Sequence, residues 1–171
     1  MELLWLNDPQ EVRVDRLYRS YTNAFPEDER RSKAQFYALF DRDQVQVYAL
    51  DRAQTYVGYM ICWTLGQFVF LEHFEIFPEF RYQNFGTEAL SALLQRCSRV
   101  VLESEPATLN PSAARRISFY RRNGFRVVDE GYMQPAYAAD KQPVPLWLMA
   151  SFFSEKPGLL SEEIKDVVYQ K

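Results

Sequence analysis

The pattern of hydrophobic and polar residues changes its period between Phe68 and Leu90. Aromatic and β-branched residues dominate Phe68 to Phe77, which favours a largely buried strand. Pro78 ends this strand, and from Phe85 the apolar residues recur at helical spacing. A helix that begins directly after a short loop leaves backbone N–H groups and a positive dipole end free, so this stretch predicts an anion site.

Three antiparallel strands are predicted at the centre of the chain. Gln44 to Leu50 alternates with a period of two, and Thr55 to Leu65 returns after a turn. Gly66 and Gln67 then turn the chain into the strand that starts at Phe68.

The N-terminal segments predict a short strand, Glu2 to Leu6, followed by two helices. Asp8 as N-cap with Pro9 at the first helical position predicts a helix that runs to Tyr21. Its inward residues are predicted to be Val12, Leu17 and Tyr21. A second helix holds the aromatic residues between positions 36 and 40.

The C-terminal half predicts alternating strands and helices. A short strand covers Arg99 to Glu103, and a helix from Pro111 to Asn123 is ended by Gly124. Two long strands, Phe125 to Tyr137 and Val144 to Phe153, are predicted next, although prolines interrupt both. Ser161 is predicted to cap the last helix. Together these elements predict one α/β domain, residues 1–171, with a mixed sheet and helices on both faces.

Two motifs resemble the GNAT superfamily of acyl-CoA-dependent N-acetyltransferases. In the first, Arg81, Asn84 and Gly86 fill the three positions of the family's phosphate loop, with Asn84 where glycine is usual. Asparagine tolerates a positive φ, so the turn can still form. In the second, a helix carries Phe119 and Tyr120, followed after three residues by Gly124 and Phe125. The family often has asparagine at the position of Ala113. The contact that this asparagine makes in the family is therefore not expected in this chain.

The resemblance implies a GNAT-like fold with a mostly antiparallel central sheet, and acetyl transfer from acetyl-CoA to a primary amine by direct attack. The phosphates would bind the loop before the helix, and the thioester carbonyl would lie against the strand near Phe74 to Ile76. The implied cofactor-binding residues are Phe74, Ile76, Arg81, Gln83, Asn84, Phe85, Gly86 and Thr87.

The resemblance implies that Tyr120 donates a proton to the departing thiolate. A phenol can do so because it is neutral and protonated at pH 7. For the general base, strand alternation puts Glu72 among Phe68, Phe70, Phe74 and Ile76, as the only charge on an apolar face. An apolar environment would raise the pKa of Glu72, which suits a base.

Other carboxylates remain open as the base. A bulge in the strand would make Glu75 the competitor, and Glu103 and Glu105 lie at the end of the neighbouring strand. Each of these groups could instead form a salt bridge with an arginine. His73 is interpreted as a structural residue, and no second ligand beside it indicates a metal site.

Composition narrows the function classes. The net charge of −3 argues against general binding to nucleic acid or to an anionic membrane. Cys62 and Cys97 are isolated and are expected to be reduced thiols. No apolar run approaches the length of a membrane span. Both observations lead us to expect a cytoplasmic location. The expected acceptor is a small cationic amine or a peptide, and self-association is left open. The alternative hypothesis is a catalytically silent module that binds acyl-CoA or a protein partner.

Overall fold

The computed structural model describes residues 1–169, which contain nine strands and five α-helices. The strands are β1 (Glu2–Leu6), β2 (Val45–Arg52), β3 (Thr55–Leu65), β4 (Phe68–Ile76), β5 (Val100–Ser104), β6 (Arg126–Asp129), β7 (Met133–Gln134), β8 (Val144–Pro145) and β9 (Trp147–Ala150). The helices are α1 (Val12–Ala24), α2 (Lys33–Tyr37), α3 (Phe85–Arg96), α4 (Pro111–Arg122) and α5 (Pro157–Val168).

Seven strands form one sheet in the order β1-β2-β3-β4-β5-β9-β6, and β7 and β8 pair separately. Every neighbouring pair is antiparallel except β4 and β5, which are parallel. Buried residues of α1, α2 and α5 pack on one side of the sheet, here called the α1 face. Buried residues of α3 and α4 pack on the other, the α3 face. The predicted mixed, mostly antiparallel sheet with helices on both faces is confirmed.

A β-bulge at Glu72 changes which side chains share a face of β4. Leu71 pairs with Cys62 and His73 with Ile61, so Glu72 is the extra residue. The prediction that Phe74 and Ile76 share the face of Glu72 is therefore wrong: both pack on the α3 face. His73 and Glu75 contact α1 instead. The alternative with a bulge names Glu75 as the competing base.

Strands β4 and β5 diverge just beyond this bulge. Their last paired residues are Leu71 and Leu102, although β4 continues to Ile76. The N–H of Phe77 donates to Val57 O on the β3 side at 2.9 Å. Because N–H groups alternate between the two edges of a strand, those of Phe74 and Ile76 point towards β5, where pairing has ended.

The first helix starts later than predicted. Asp8 begins a turn in which its carboxylate accepts from Gln10 N at 2.8 Å and its carbonyl from Glu11 N at 3.1 Å. Helix α1 then begins at Val12, which is 81% exposed rather than buried. Val14, Leu17 and Tyr21 form its buried side.

The prediction of two long C-terminal strands is also wrong. The first is broken into β6 and β7 by a turn in which Gly131 N donates to Asp129, and the second into β8 and β9. Pro143 and Pro145, which lack an N–H, account for the weak pairing around β8. Ser161 does not cap α5 but lies inside it, donating to Gly158 O at 2.8 Å.

Neither cysteine forms a disulfide. Among residues 1–169, no helix combines the length and the apolar character that crossing a membrane requires.

Candidate active site

The loop before α3 presents unpaired backbone donors. Asn84 precedes the helix in the left-handed region, with φ 64°, and its side chain caps nothing. Within residues 1–169, no oxygen accepts from the N–H groups of Phe85, Gly86 or Thr87. Three free N–H groups at the positive end of a 12-residue helix can bind an anion.

Arg81 ties this loop to the end of β4. Its Nε donates to Ile76 O at 3.1 Å, and Nη2 contacts Glu75 Oε1 at 3.2 Å. Gln83 is exposed, and its amide makes only a long contact of 3.5 Å with Glu79 O within the described chain. The guanidinium therefore holds the loop beside the divergence of β4 and β5, while the Gln83 side chain stays available.

Gly86 brings the two sequence motifs into contact. A Cβ at this position would lie 3.1 Å from Phe119 Cζ of α4 and 3.9 Å from Ile76 of β4. The absence of a side chain thus lets α4 pack beside the anion-binding loop, and Tyr120 follows directly on that helix.

Tyr120 lies on the α3 face and is 7% exposed. Its ring packs edge-on against Phe125. Burial raises the pKa of Tyr120 to about 12, with Arg116 opposing. The hydroxyl is therefore neutral at physiological pH and can act as a proton donor.

Glu103, at the end of β5, is held on the α1 face by two tyrosines. Tyr132 OH donates to its Oε1 and Tyr169 OH to its Oε2, the latter at 2.9 Å. Burial raises the pKa of Glu103 to about 8, aided by Glu72 and Glu29, while the two hydrogen bonds lower it. This carboxyl therefore titrates near neutral pH.

Glu72 is enclosed by donors and has no exposed side-chain surface. Arg31 approaches its Oε1 with Nε at 3.1 Å and Nη2 at 2.8 Å. Trp63 Nε1 and Tyr137 OH donate to its two oxygens, each at 2.8 Å. Burial would raise the pKa of Glu72, but Arg31, His73 and these hydrogen bonds together lower it. The carboxylate is paired with Arg31, which favours its ionised form.

His73 is buried beside this ion pair. Its ring meets Phe25 and Tyr21 edge-on, with Tyr21 OH 3.4 Å from Nε2. Burial lowers the pKa of His73 to about 4, so the imidazole is neutral at pH 7.

The other two predicted carboxylates also have partners. Glu75 accepts from Ser20 Oγ at 2.8 Å as well as from Arg81, and burial raises its pKa. Glu105 pairs with Arg116 at 2.7 Å.

The structure brings most predicted site residues to the divergence of β4 and β5, but on opposite faces. Phe74, Ile76, Tyr120 and the α3 loop lie on the α3 face, whereas Glu72 and Glu103 lie on the α1 face. Sequence reasoning missed the side chains that surround these carboxylates. They are Arg31, Trp63, Tyr132, Tyr137 and Tyr169.

Two surface hollows lie away from this region. A hollow of about 520 Å³ is lined by residues between positions 38 and 44, and one of about 440 Å³ by residues 39–43 with the ends of β1 and β2. Neither is lined by a predicted site residue. In the described part of the chain, no group of three or more His, Cys, Asp or Glu side chains could hold a metal ion.

A family model for the GNAT acetyltransferase family matches residues 14–125. The comparison with curated proteins gives no match.

Among solved structures, a GNAT-family protein from Bacteroides thetaiotaomicron superposes with a TM-score of 0.92 at 22% identity, covering 99% of this chain and 98% of that one. The ribosomal-protein-S18-alanine N-acetyltransferase of Escherichia coli gives 0.60 at 18% identity, with 90% and 96% covered. A GNAT acetyltransferase of Elizabethkingia anophelis, solved with acetyl-CoA bound, gives 0.59 at 12% identity, with 87% and 95% covered.

These structural likenesses show the fold, and the family model spans well over half of the sequence. The chain belongs to the GNAT acetyltransferase family.

Proposed function

We propose that residues 1–171 form one acetyl-CoA-dependent N-acetyltransferase domain that acts by direct attack of an amine on the thioester. The observation that carries the proposal is the divergence of β4 and β5 beyond Leu71 and Leu102. It leaves the anion-binding loop and Tyr120 on one face of the sheet and an ionisable carboxyl, Glu103, on the other. A reaction between a cofactor and an acceptor that enter from opposite faces needs this arrangement.

The cofactor would approach from the α3 face. Its pyrophosphate would accept from the N–H groups of Phe85, Gly86 and Thr87, with the exposed amide of Gln83 as a further donor. The thioester would then reach the divergence, where the N–H groups of Phe74 and Ile76 point. These donors would stabilise the oxyanion of the tetrahedral intermediate. The Elizabethkingia structure, which holds acetyl-CoA, supports a CoA cosubstrate.

The acceptor would approach from the α1 face. Glu103 takes a proton from the ammonium, and the neutral amine attacks the thioester carbon. When the intermediate collapses, the C–S bond breaks and Tyr120 gives its proton to the thiolate. The attacking nitrogen loses its second proton, which restores Tyr120, and Glu103 releases the first proton to solvent. The products are the acetylated amine, the free thiol and one proton.

Glu103 suits the role of base better than Glu72. Its pKa of about 8 lies close to the operating pH, as efficient proton transfer requires. Glu72 is ionised, fully buried and already neutralised by Arg31, so its predicted role as base is replaced by a structural one.

An amine acceptor with a positive charge fits the acidic and aromatic α1 face. Glu72 and Glu103 place two carboxylates there against one buried guanidinium, and four aromatic side chains hydrogen-bond them. The Escherichia coli neighbour is an alanine N-acetyltransferase by name, so a peptide amine stays within the proposal beside a small cationic molecule.

The proposal is tested by thermal unfolding and thiol release with a matched pair of variants. Thr87→Glu adds a negative charge in the first turn of α3. This charge is attracted by the positive end of the helix dipole, but it repels a phosphate. We expect it to abolish the rise in Tm that acetyl-CoA gives the wild type, without lowering the Tm of the free protein.

Ser91→Glu, exposed in the second turn of the same helix, is the control and should keep the rise. Stabilisation by acetyl-CoA without thiol release from any amine would support the silent binding module instead. No stabilisation of the wild type would overturn the cofactor assignment.

A further inference from the structure

Two tyrosines donate to the Glu103 carboxyl, and a third tyrosine lies between Glu103 and Glu72. The family model ends at residue 125, whereas Tyr132, Tyr137 and Tyr169 all follow it. Tyr132 comes directly before β7, and Tyr169 directly follows α5. The C-terminal part of the chain thus contributes the immediate environment of the proposed base.

The hydrogen bonds fix the carboxyl at both oxygens. Tyr132 OH donates to Oε1 and Tyr169 OH to Oε2. Tyr137 OH lies 3.4 Å from Tyr169 OH and donates to Glu72 on its other side, so it links the two carboxylates. Since a hydroxyl on each oxygen restricts rotation of the carboxyl plane, the free lone pairs keep one direction.

Helix α5 is anchored independently of Glu103. Glu163 accepts from Gly66 N at 2.7 Å, and the carbonyl of Val168 accepts from Arg31 Nη2 at 3.0 Å. Tyr169 follows Val168 directly, so the ion pair between Arg31 and Glu72 sets the position of the hydroxyl that reaches Glu103.

We propose that Tyr132 and Tyr169 are positioning residues that hold the Glu103 carboxyl in its reactive orientation, which makes the end of α5 part of the active site. The inference rests on the proposed function, because it assigns Glu103 as the base. The two hydroxyls also stabilise the ionised carboxylate against the negative charges of Glu72 and Glu29, the other ionisable groups that raise its pKa.

The test compares the pH dependence of kcat/KM in the wild type, Tyr169→Phe and Tyr132→Phe. Removing one donor should move the acidic limb up by about one pH unit, because a hydrogen bond to a charged acceptor favours its ionised form. At pH values above the new limb the rate should rise but stay below that of the wild type, because a single hydroxyl restricts the carboxyl plane less. Tyr56→Phe is the matched control, since its hydroxyl contacts Arg13 O and not Glu103, and it should leave the limb in place.

A second readout needs no turnover. The loss of stability between pH 6.5 and 8 should become steeper and extend to higher pH in Tyr169→Phe, since the folded pKa of Glu103 rises. If stability responds in this way while the limb of kcat/KM stays fixed, the tyrosines hold Glu103 but do not position a base, and the proposal is overturned.

A tyrosine variant with the pH profile of the wild type, in which neither the limb nor the rate above it changes, also overturns the proposal. If Glu103→Gln keeps the wild-type rate, the proposed function itself has assigned the wrong base, an outcome separate from the behaviour of the tyrosine variants.

Discussion

The ion pair between Arg31 and Glu72 is the strongest residue-scale constraint on the α1 face. Both side chains are at least nine-tenths buried, and Glu72 accepts two further hydrogen bonds. Breaking one partner of such a pair leaves an uncompensated buried charge, at a cost of about 3–5 kcal/mol. We therefore expect Glu72→Gln to lower the free energy of unfolding by about that amount, measured by urea denaturation.

Two comparisons make this prediction specific. Arg31→Met combined with Glu72→Gln removes both charges and should recover part of the loss. Glu79→Gln breaks the exposed pair with Arg16, whose side chains are 42% and 56% exposed, and should cost less than about 1 kcal/mol. Equal losses from Glu72→Gln and Glu79→Gln would contradict the structural role of Glu72.

Tyr120 is expected to act on the chemical step rather than on binding. Tyr120→Phe keeps the ring that packs on Phe125 but removes the proton donor. The expected fall in kcat is about 10² to 10⁴-fold, with the Kd of acetyl-CoA unchanged. Thiol release and calorimetric titration measure the two quantities, and an unchanged kcat would exclude Tyr120 as the acid.

At this scale the sequence predicts residues whose signal is local. Asn84, Gly86 and Tyr120 belong to motifs of fixed spacing, and the structure places them around one loop and one helix contact. Arg31 and Tyr169 could not be found in this way, because each meets its partner across a long stretch of sequence. Arg31 stands in a dense charge run that by itself is typical of a solvated surface.

At the scale of elements, the bulged pair of β3 and β4 controls where the sheet opens. Gly58 pairs with Ile76, and a Cβ at this position would lie 2.2 Å from the carbonyl oxygen of Glu75. A backbone oxygen in the middle of a sheet cannot move away, so Gly58→Ala should destabilise the fold by about 2 kcal/mol or more. Differential scanning calorimetry would show this as a lower Tm.

The matched control for this substitution is Gly158→Ala. No atom lies within 4 Å of the Cβ that it would add in the first turn of α5. Alanine is the better helix former, so this variant should be neutral or up to about 1 kcal/mol more stable. If both variants behave alike, the close approach of β3 to the end of β4 is not what requires glycine at position 58.

Elements with a strong period were predicted well, and those without one were not. β3, α3 and α4 follow their apolar patterns closely, and α3 begins at Phe85 as predicted. The segments after Phe125 carry apolar residues and prolines together, so their pattern does not show where pairing stops. The bulge at Glu72 has no signature in the sequence either, because it depends on the register of β3.

At the scale of the whole molecule, the sheet separates two kinds of chemistry. The α3 face carries the anion-binding loop with the neutral Tyr120, and the α1 face carries the ion-paired Glu72 and the titrating Glu103. The two faces communicate where the pairing of β4 with β5 ends. The fold therefore supports the proposed acetyl transfer by opening the sheet at that place. The motifs indicated the family and its fold, but the position of Glu103 between three segments required the tertiary structure.

The pH dependence of stability tests that position on the whole protein. Burial raises the pKa of Glu103 to about 8 in the folded protein, whereas the unfolded chain releases this proton near pH 4.5. Between these two pH values only the folded protein keeps the proton. Stability is therefore lost as pH rises from about 4.5 to 8. His73, with a pKa lowered by burial to about 4, acts in the opposite direction, and its contribution is lost as pH falls from about 6.5 to 4.

The contributions of Glu103 and His73 overlap below pH 6.5. Between pH 6.5 and 8, only Glu103 of these two residues changes the stability. There the free energy of unfolding should fall with pH, by at most about 1.4 kcal/mol per pH unit. Glu103→Gln cannot ionise and should flatten the slope, as urea denaturation at pH 6.5, 7.25 and 8 would show. A slope that persists unchanged in this variant would mean that the group linked to folding lies elsewhere, and that Glu103 is ionised in the folded protein well below neutral pH.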